Sequence, residues 1–241
     1  MIPLRDANPT RRTPVVTIGL VAACLIAFAW ELGLQVSGGD EALNAFLTEW
    51  GVVPADLVAA WTSSGFLTAE TLTLITSQFL HGGWLHLLGN LLFLWIFANN
   101  IEDDLGRPAF LTFYLGGGIA AGLAQVAIDP TSTIPMIGAS GAIAAVLGGY
   151  LVLYPRARIT SLVFLGFFYQ LIDVPAVVVL GFWFLLQLID GIASLGLAGT
   201  DGGVAIFAHI GGFVAGVVAA RLLLVWRRRR GAGPPALTPV G

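Results

Sequence analysis

The chain has 241 residues, of which 57% are hydrophobic and only 10% are charged, and its mean hydropathy is +0.88. Soluble domains carry about 25% charged residues, so this composition excludes an ordinary soluble protein and indicates a polytopic membrane protein whose length is taken up by spans. The net charge of −3 gives no indication of a nucleic-acid partner, and the single cysteine, Cys24, excludes an intramolecular disulfide.

Six hydrophobic segments predict an all-α bundle of six transmembrane helices. The first is too long for the apolar region of a signal peptide and has no small-residue cleavage site after it, so we interpret it as a span. Each segment is close to the length of about 20 residues that a bilayer core requires, except the fourth. The predicted spans are residues 14–35, 84–101, 108–128, 140–154, 175–195 and 203–226.

The arginines test this count, because every basic residue in the chain is an arginine. Six spans place all of them on one face of the membrane, as the positive-inside rule requires, whereas five or seven would scatter them over both faces. We therefore expect a multi-pass protein of the cell (inner) membrane with both termini cytoplasmic. Residues 1–13 form the cytoplasmic N-terminal segment, 14–226 a single membrane domain and 227–241 a basic, disordered tail. The arginines are Arg5, Arg11, Arg12, Arg107, Arg156, Arg158, Arg221 and Arg227 to Arg230.

Two segments between the spans need separate explanations. The long first outer loop, residues 36–83, mixes acidic residues with Trp50 and Trp61, which predicts short amphipathic helices lying at the membrane interface. Residues 159–173 are apolar and aromatic but interrupted by Gly166. They are interpreted either as a membrane-dipping or interfacial approach to the fifth span, or as part of a longer, kinked fifth span.

Span 4 is unusually short. Its roughly 15 residues make about 22 Å of helix, against a hydrocarbon core of about 30 Å. If Tyr154, Pro155 and Arg156 anchor its cytoplasmic end, its outer end begins below the membrane surface, at Ser140. Non-helical backbone at that depth is tolerated only where protein shields it or water reaches it, so the sequence predicts a wet pocket on the outer side.

Ser140 and His209 are the candidate catalytic pair. Ser140 lies between Gly138 and Gly141 in a stretch of small residues, and His209 lies beside a second small-residue face that includes Gly212. If the two faces pack, the hydroxyl and the imidazole come within reach as a nucleophile and its general base. The structural alternative is that Ser140 caps span 4 while His209 bonds a backbone carbonyl, but a histidine inside the membrane is functional by default. The faces are Gly141, Ala144, Ala145, Gly148 and Gly149 on span 4, and Ala208, Gly212 and Gly216 on span 6.

A second polar group is formed by His86 and Asn90, four residues apart on one face of span 2. An imidazole and an amide aimed at one point can donate hydrogen bonds to a developing oxyanion, together with the Ser140 backbone N–H. The rival is a zinc site made by His81, His86 and His209, but the spacing is not HExxH and no carboxylate adjoins these residues. We expect no metal and no cofactor, and we interpret His81 as a structural residue that holds the outer loop.

The stretches HGGWLHLLGN, GASG and AHIGGFVAG follow one another on alternate spans. In this combination they resemble the rhomboid family of intramembrane serine proteases, and the resemblance covers residues 76–218. It implies that Ser140 is the nucleophile and His209 the base of a dyad without an acidic third member. It also implies that His86 and Asn90 occupy the oxyanion-hole positions.

The resemblance implies further that the substrates are transmembrane proteins in the lipid bilayer, whose helices unwind locally near small or helix-breaking residues. Residues 101–106 resemble the family's acidic-plus-glycine turn, which is structural. Two positions depart from the pattern. Leu72-Thr73 stands where many members carry Trp-Arg, and Ala144 stands where some members place an aromatic residue against the histidine, so the sequence leaves open what orients His209.

Two other functional classes compete with a protease. A catalytically silent rhomboid-like binder of membrane helices would keep the fold and lose the dyad, and the presence of both Ser140 and His209 disfavours it. A transporter would show broken spans in repeated positions, and the sequence contains no internal repeat. Gln125 and Gln187 are interpreted as interhelical hydrogen-bonding residues rather than as substrate contacts.

Overall fold

A computed structural model describes residues 1–165, 168–195 and 205–230 of the chain. This part consists mainly of α-helices, with one short 3₁₀ helix and three strands. The strands are β1 (Ile2–Asp6), β2 (Arg158–Leu165) and β3 (Phe168–Pro175), and the 3₁₀ helix is Ser77–Phe79. The α-helices are α1 (Val15–Trp50), α2 (Pro54–Ser64), α3 (Ala69–Thr76), α4 (Trp84–Leu105), α5 (Arg107–Ile128), α6 (Ser140–Leu153), α7 (Ala176–Leu195) and α8 (Ile206–Arg229).

Six of the helices lie where the hydrophobic segments predicted spans. Helices α1, α4, α5 and α8 are long and apolar enough to cross a membrane, while α6 and α7 are shorter apolar helices. The chain is therefore a mostly helical, multi-pass membrane protein. Helix α6 has only 14 residues, as the sequence indicated. Helix α8 continues to Arg229, beyond the expected end at residue 226, so residues 227–229 are helical where a disordered tail was predicted. The rest of that tail from residue 231 onward lies outside the described residues.

The expectation of an all-α fold is wrong for the chain's N-terminus and for the segment after α6. Strands β2 and β3 pair antiparallel, and β1 pairs antiparallel with β2, which gives a three-stranded sheet in the order β1-β2-β3. Residues 159–165 and 168–173 thus belong to paired antiparallel strands, so they are not a helical extension of the fifth span. The reason is that a short apolar run rich in β-branched and aromatic residues suits a strand as well as a buried helix, and its distant partner β1 leaves no local signal.

The first outer loop is helical, as predicted, but helix α1 extends well beyond the first span. It continues past residue 35, kinks at Gly39 (φ 70°, ψ −169°) and then runs to Trp50. Glycine tolerates this left-handed φ because it has no Cβ. After α1, Val52 pairs with Met136 through two backbone hydrogen bonds of 3.0 and 2.8 Å. This pair ties the outer loop to the segment that leads into α6.

Helix α6 is the centre of the packed bundle. Every residue from Gly141 to Tyr150 is buried, because α6 packs against α4, α5 and α8. At its far end, the Tyr150 ring meets Phe97 edge to face, with ring centroids 5.0 Å apart, and the Tyr150 hydroxyl donates to Asp6 Oδ2 at 2.9 Å. Burial raises the pKa of the Asp6 carboxyl to about 6, and the hydrogen bond from Tyr150 opposes that rise. The N-terminal strand is thereby fastened to the central helix.

The acidic last turn of α4 joins the ends of α1, α4 and α8. The buried carboxylate of Glu102 accepts hydrogen bonds from the backbone N–H groups of Val16 and Thr17, at 2.9 and 2.8 Å, and from the Thr17 hydroxyl at 2.8 Å. These N–H groups belong to the first turn of α1, where no backbone acceptor is available within the helix. Asp104 forms an ion pair with Arg227 of α8 at 2.9 Å. The turn is therefore structural, as the resemblance implied.

Glu102→Ala should lower the stability of the protein in detergent, because α1 loses the acceptor for two backbone N–H groups and one hydroxyl. We expect a loss of about 1–3 kcal/mol in the free energy of unfolding, measured as a lower midpoint temperature by differential scanning fluorimetry. Asp103→Ala is the matched control, since Asp103 accepts a single exposed bond, from the Arg11 backbone N–H. Equal shifts for the two variants would contradict this role for Glu102.

Candidate active site

Ser140 is the first residue of α6, and its side chain does not cap that helix. The N-cap residue is Ala139, and no side-chain hydrogen bond caps the helix, so the capping interpretation of Ser140 is wrong. The backbone before it is fixed by Gly138, whose N–H donates to the Ser77 carbonyl at 2.8 Å. The Ser140 hydroxyl oxygen lies 2.7 Å from Nε2 of His209. The structure thus brings together the two residues that the sequence singled out.

The two residues meet because the backbones of α6 and α8 are in contact. A Cβ atom at Gly212 would collide with the carbonyl oxygen of Gly141, and a Cβ atom at Gly216 would collide with that of Ala145. From the other side, a Cβ atom at Gly148 would collide with the α8 backbone. The predicted packing of the two small-residue faces is confirmed at these positions, where glycine permits an approach that no other residue allows.

Gly216→Ala should therefore disrupt the protein, because a methyl group at that position has no space. We expect a loss of about 1–3 kcal/mol in the free energy of unfolding, as for other overpacked cores, measured by thermal unfolding in detergent. Gly19→Ala is the matched control, since a Cβ atom at Gly19 meets nothing within 4 Å, and its effect should be neutral or slightly stabilising. A Gly216→Ala variant as stable as the control would refute the close contact.

His209 is bonded through both of its ring nitrogens. Nδ1 lies 2.8 Å from Oε1 of Gln187 on α7, and the ring of Trp183, one turn earlier on the same helix, lies 6.1 Å away between centroids. The sequence predicted an interhelical hydrogen bond for Gln187 but not its partner, and it gave no role to Trp183. The sequence did contain a signal for this contact, because Gln187 is the only amide side chain in the apolar sequence of α7.

His86 and Asn90 lie beside the backbone that precedes Ser140. Gly138 has a φ of 121°, and a Cβ atom there would stand 2.6 Å from His86 Nε2 and 3.7 Å from Asn90 Nδ2. The Gly82 N–H donates to His86 Nδ1 at 3.4 Å, which leaves the ring proton on Nε2. The buried Nδ2 of Asn90 has no hydrogen-bond partner among the described residues. Two N–H donors therefore face the approach to the serine.

His81 lies in the loop before α4 and does not contact Ser140 or His209 through any described hydrogen bond. Its backbone N–H donates to the Glu31 carboxylate at 3.1 Å, and its Nδ1 lies 3.1 Å from the Phe79 carbonyl oxygen. Burial, with the neighbouring His86 as second cause, lowers the pKa of His81 to about 4. These bonds support the structural role that we predicted. Over the described ranges, no group of three His, Cys, Asp or Glu side chains is placed to hold a metal ion.

Comparison with known proteins adds an independent observation. A family model described as a Rhomboid domain matches residues 68–226, which include Ser140, His209 and the His86–Asn90 pair. The matched region also contains Gln187 and Trp183 and extends back into the outer loop.

Three relatives illustrate the range of similarity. The chain is 35% identical to the Bacillus subtilis protein YdcA over 116 residues, covering 46% of this chain and 58% of that protein. It is 30% identical to presenilin-associated rhomboid-like protein A, mitochondrial, of Danio rerio over 207 residues, covering 82% and 50%. It is 32% identical to the rhomboid protease GluP of Bacillus subtilis over 190 residues, covering 79% and 34%. The matched segments thus span between a third and three fifths of the length of these three relatives.

Proposed function

This chain belongs to the rhomboid family, and on that premise we propose that it is an intramembrane serine endopeptidase with Ser140 as nucleophile and His209 as general base. The observation that carries the proposal is the distance of 2.7 Å between Ser140 Oγ and His209 Nε2. A hydroxyl is a weak nucleophile until a neighbouring base takes its proton. A catalytically silent binder of membrane helices would have no use for this pair.

The reaction begins when His209 Nε2 takes the proton of the Ser140 hydroxyl. Oγ forms a bond to the carbonyl carbon of the scissile peptide, and one carbonyl electron pair moves onto the oxygen. The tetrahedral intermediate then collapses, the C–N bond breaks, and the protonated His209 gives its proton to the leaving amine. A water molecule, deprotonated by His209, next attacks the ester on Ser140. The ester bond breaks, the new carboxyl terminus leaves, and the proton returns to Oγ.

The oxyanion would be held by His86, Asn90 and the Ser140 backbone. Support comes from the unpartnered Nδ2 of Asn90, because a buried N–H without an acceptor is costly and gains its acceptor when the oxyanion forms. His86 offers the protonated Nε2 beside Gly138. Ser140 is the first residue of α6, so its N–H has no acceptor within the helix. Preorganised donors of this kind commonly contribute more than any other single effect in acyl transfer.

In this proposal the chain crosses the cell (inner) membrane six times, with both termini cytoplasmic. The arginines on one face support it, and so does the attachment of the arginine-bearing α8 end to the acidic turn through Arg227 and Asp104. Helix α6 has 14 residues and so extends roughly 21 Å, less than a bilayer core of about 30 Å. Ser140 would then lie below the outer surface, where water reaches it from that side.

The proposed substrates are transmembrane proteins, with no nucleic-acid partner. A peptide bond within a helix is shielded by the helix's own hydrogen bonds, so a substrate must unwind locally before its carbonyl carbon can reach Ser140. Unwinding in lipid leaves backbone groups unpaired at a cost of several kcal/mol each. Small or helix-breaking residues near the cut lower this cost, and they should be preferred.

Covalent labelling tests the dyad. The wild-type protein in detergent should react with a fluorophosphonate probe at Ser140 and should cleave a membrane-anchored reporter. Ser140→Ala should abolish both activities. His209→Ala should lower the labelling rate by about 100-fold or more, because general-base catalysis is lost.

Ser64→Ala is the matched control for labelling, since Ser64 lies in the exposed outer loop at the end of α2, and it should react as the wild type does. Thermal unfolding establishes that each variant is folded. The protease proposal fails if folded wild-type protein is neither labelled nor able to cut the reporter.

A second test addresses the oxyanion donors. Asn90→Ala should lower kcat for reporter cleavage by about 100-fold, the usual effect of removing one such donor. Asn99→Ala on the same helix is the control, because the Asn99 side chain accepts only the neighbouring backbone N–H of Asn100, and its kcat should stay within about twofold of the wild type. Similar kcat values for the Asn90 and Asn99 variants would remove Asn90 from the site.

A further inference from the structure

Gln187 makes the only side-chain hydrogen bond to His209 in the described residues besides that of Ser140. Its Oε1 lies 2.8 Å from His209 Nδ1, on the opposite side of the ring from the 2.7 Å contact between Nε2 and Ser140 Oγ. The three side chains come from α7, α8 and α6. They form one continuous chain of hydrogen bonds across three helices.

This chain of hydrogen bonds determines which ring nitrogen carries the proton. A carbonyl oxygen only accepts hydrogen bonds, so the contact with Gln187 Oε1 requires a proton on His209 Nδ1. In the neutral ring, Nε2 is then unprotonated and can accept the Ser140 proton. The other tautomer would place a proton between Nε2 and Oγ, and the ring would be unable to act as a base.

Among the described residues, no other side chain forms a hydrogen bond to His209 Nδ1. Ala144, on the turn of α6 after Ser140, is fully buried but has only a methyl group to offer the ring. The nearest acidic residue along α7, Asp190, is exposed and makes no described contact with His209. A neutral amide also has a physical advantage here, because a carboxylate inside the membrane carries a large desolvation cost that an amide avoids.

The face of α7 that carries Gln187 is held against α8 by its neighbours. Trp183, one turn before, packs on Phe213 with ring centroids 6.0 Å apart. One turn after, a Cβ atom at Gly191 would stand 3.3 Å from Ile210 Cδ1. Contacts on both sides fix the position of the amide relative to the imidazole ring.

We propose that Gln187 is the positioning residue of the active site, which holds His209 in the Nδ1-protonated tautomer in place of an acidic third member. The catalytic importance of this tautomer rests on the proposed protease function. The tautomer itself can be measured without any activity, so the two can fail separately.

The first experiment reads the tautomer by ¹⁵N NMR of protein labelled at histidine, in detergent at neutral pH. The chain has only three histidines, and the spectrum of His209→Ala assigns the His209 signals. Protonated and unprotonated ring nitrogens have well-separated shifts. Wild-type protein should show a protonated Nδ1 and an unprotonated Nε2 for His209. A wild-type spectrum with the proton on Nε2 would overturn the proposal, because the Gln187 amide would then have to be reversed.

The second experiment compares variants at this position. Gln187→Met keeps the length of the side chain and removes the acceptor, so His209 should become a mixture of tautomers, and kcat for reporter cleavage should fall about tenfold or more with KM within twofold. Gln187→Glu keeps an acceptor oxygen, so it should retain the Nδ1-protonated signal and more activity than Gln187→Met, but the desolvation cost of the carboxylate should lower its thermal midpoint. A Gln187→Met variant with the wild-type tautomer and the wild-type kcat would refute the proposal.

A matched control separates positioning from helix packing. Gln125 also makes interhelical hydrogen bonds, from its Oε1 to the backbone N–H groups of Phe207 and Ala208 at 3.1 and 3.3 Å. Gln125→Met should lower the thermal midpoint but leave the His209 tautomer unchanged. If Gln125→Met and Gln187→Met alter the tautomer equally, Gln187 has only a packing role. If wild-type protein has the expected tautomer but resists fluorophosphonate, the protease proposal fails and the assignment of the hydrogen bond stands.

Discussion

Helices α6 and α8 pack with their backbones in direct contact, and the meeting of Ser140 with His209 follows from that contact. Glycine at positions 148, 212 and 216 removes the side chains that would hold the two helices apart. Lipid provides little hydrophobic driving force between helices, so close van der Waals packing of this kind is a main source of their association. Because the two backbones are fixed relative to each other, the short Ser140 side chain reaches the His209 ring without any adjustment of the helices.

A polar side chain buried in a membrane domain raises the free energy of the fold unless it has a hydrogen-bond partner. Ser140, His209 and Gln187 satisfy one another as neutral groups, so no charge is buried at this point in the bundle. In the first turn of α8, the backbone N–H groups of Phe207 and Ala208 donate to Gln125 Oε1 from α5. In the described residues, single buried atoms of Gln78, His81, Asn90, Asn100 and Tyr114 have no hydrogen-bond partner. We assign Asn90 Nδ2 to the oxyanion because it lies beside Gly138, just before Ser140.

The opposite end of the bundle is held by a separate set of polar contacts. Glu102 accepts hydrogen bonds from the first turn of α1, and Arg227 at the end of α8 forms an ion pair with Asp104. Asp6 of the N-terminal strand accepts a hydrogen bond from Tyr150 of α6. These contacts lie at the far end of α6 from Ser140. They hold the helix ends together there and do not involve the residues of the candidate site. At the end of α6 that begins with Ser140, backbone hydrogen bonds hold the preceding segment, between Val52 and Met136 and from Gly138 to Ser77.

The sequence by itself indicated where the hydrophobic helices lie, that α6 is short, and that Ser140 and His209 are a candidate pair, because these depend on composition, on span length and on motifs within single helices. It also indicated which faces pack, since small residues repeat at helical spacing on both segments. Only the tertiary structure decided that residues 159–165 and 168–173 pair as antiparallel strands, that α1 continues past its kink at Gly39, and that Gln187 meets His209. Each of these depends on a partner distant in the chain or on a backbone angle, and a pattern read along one segment contains neither.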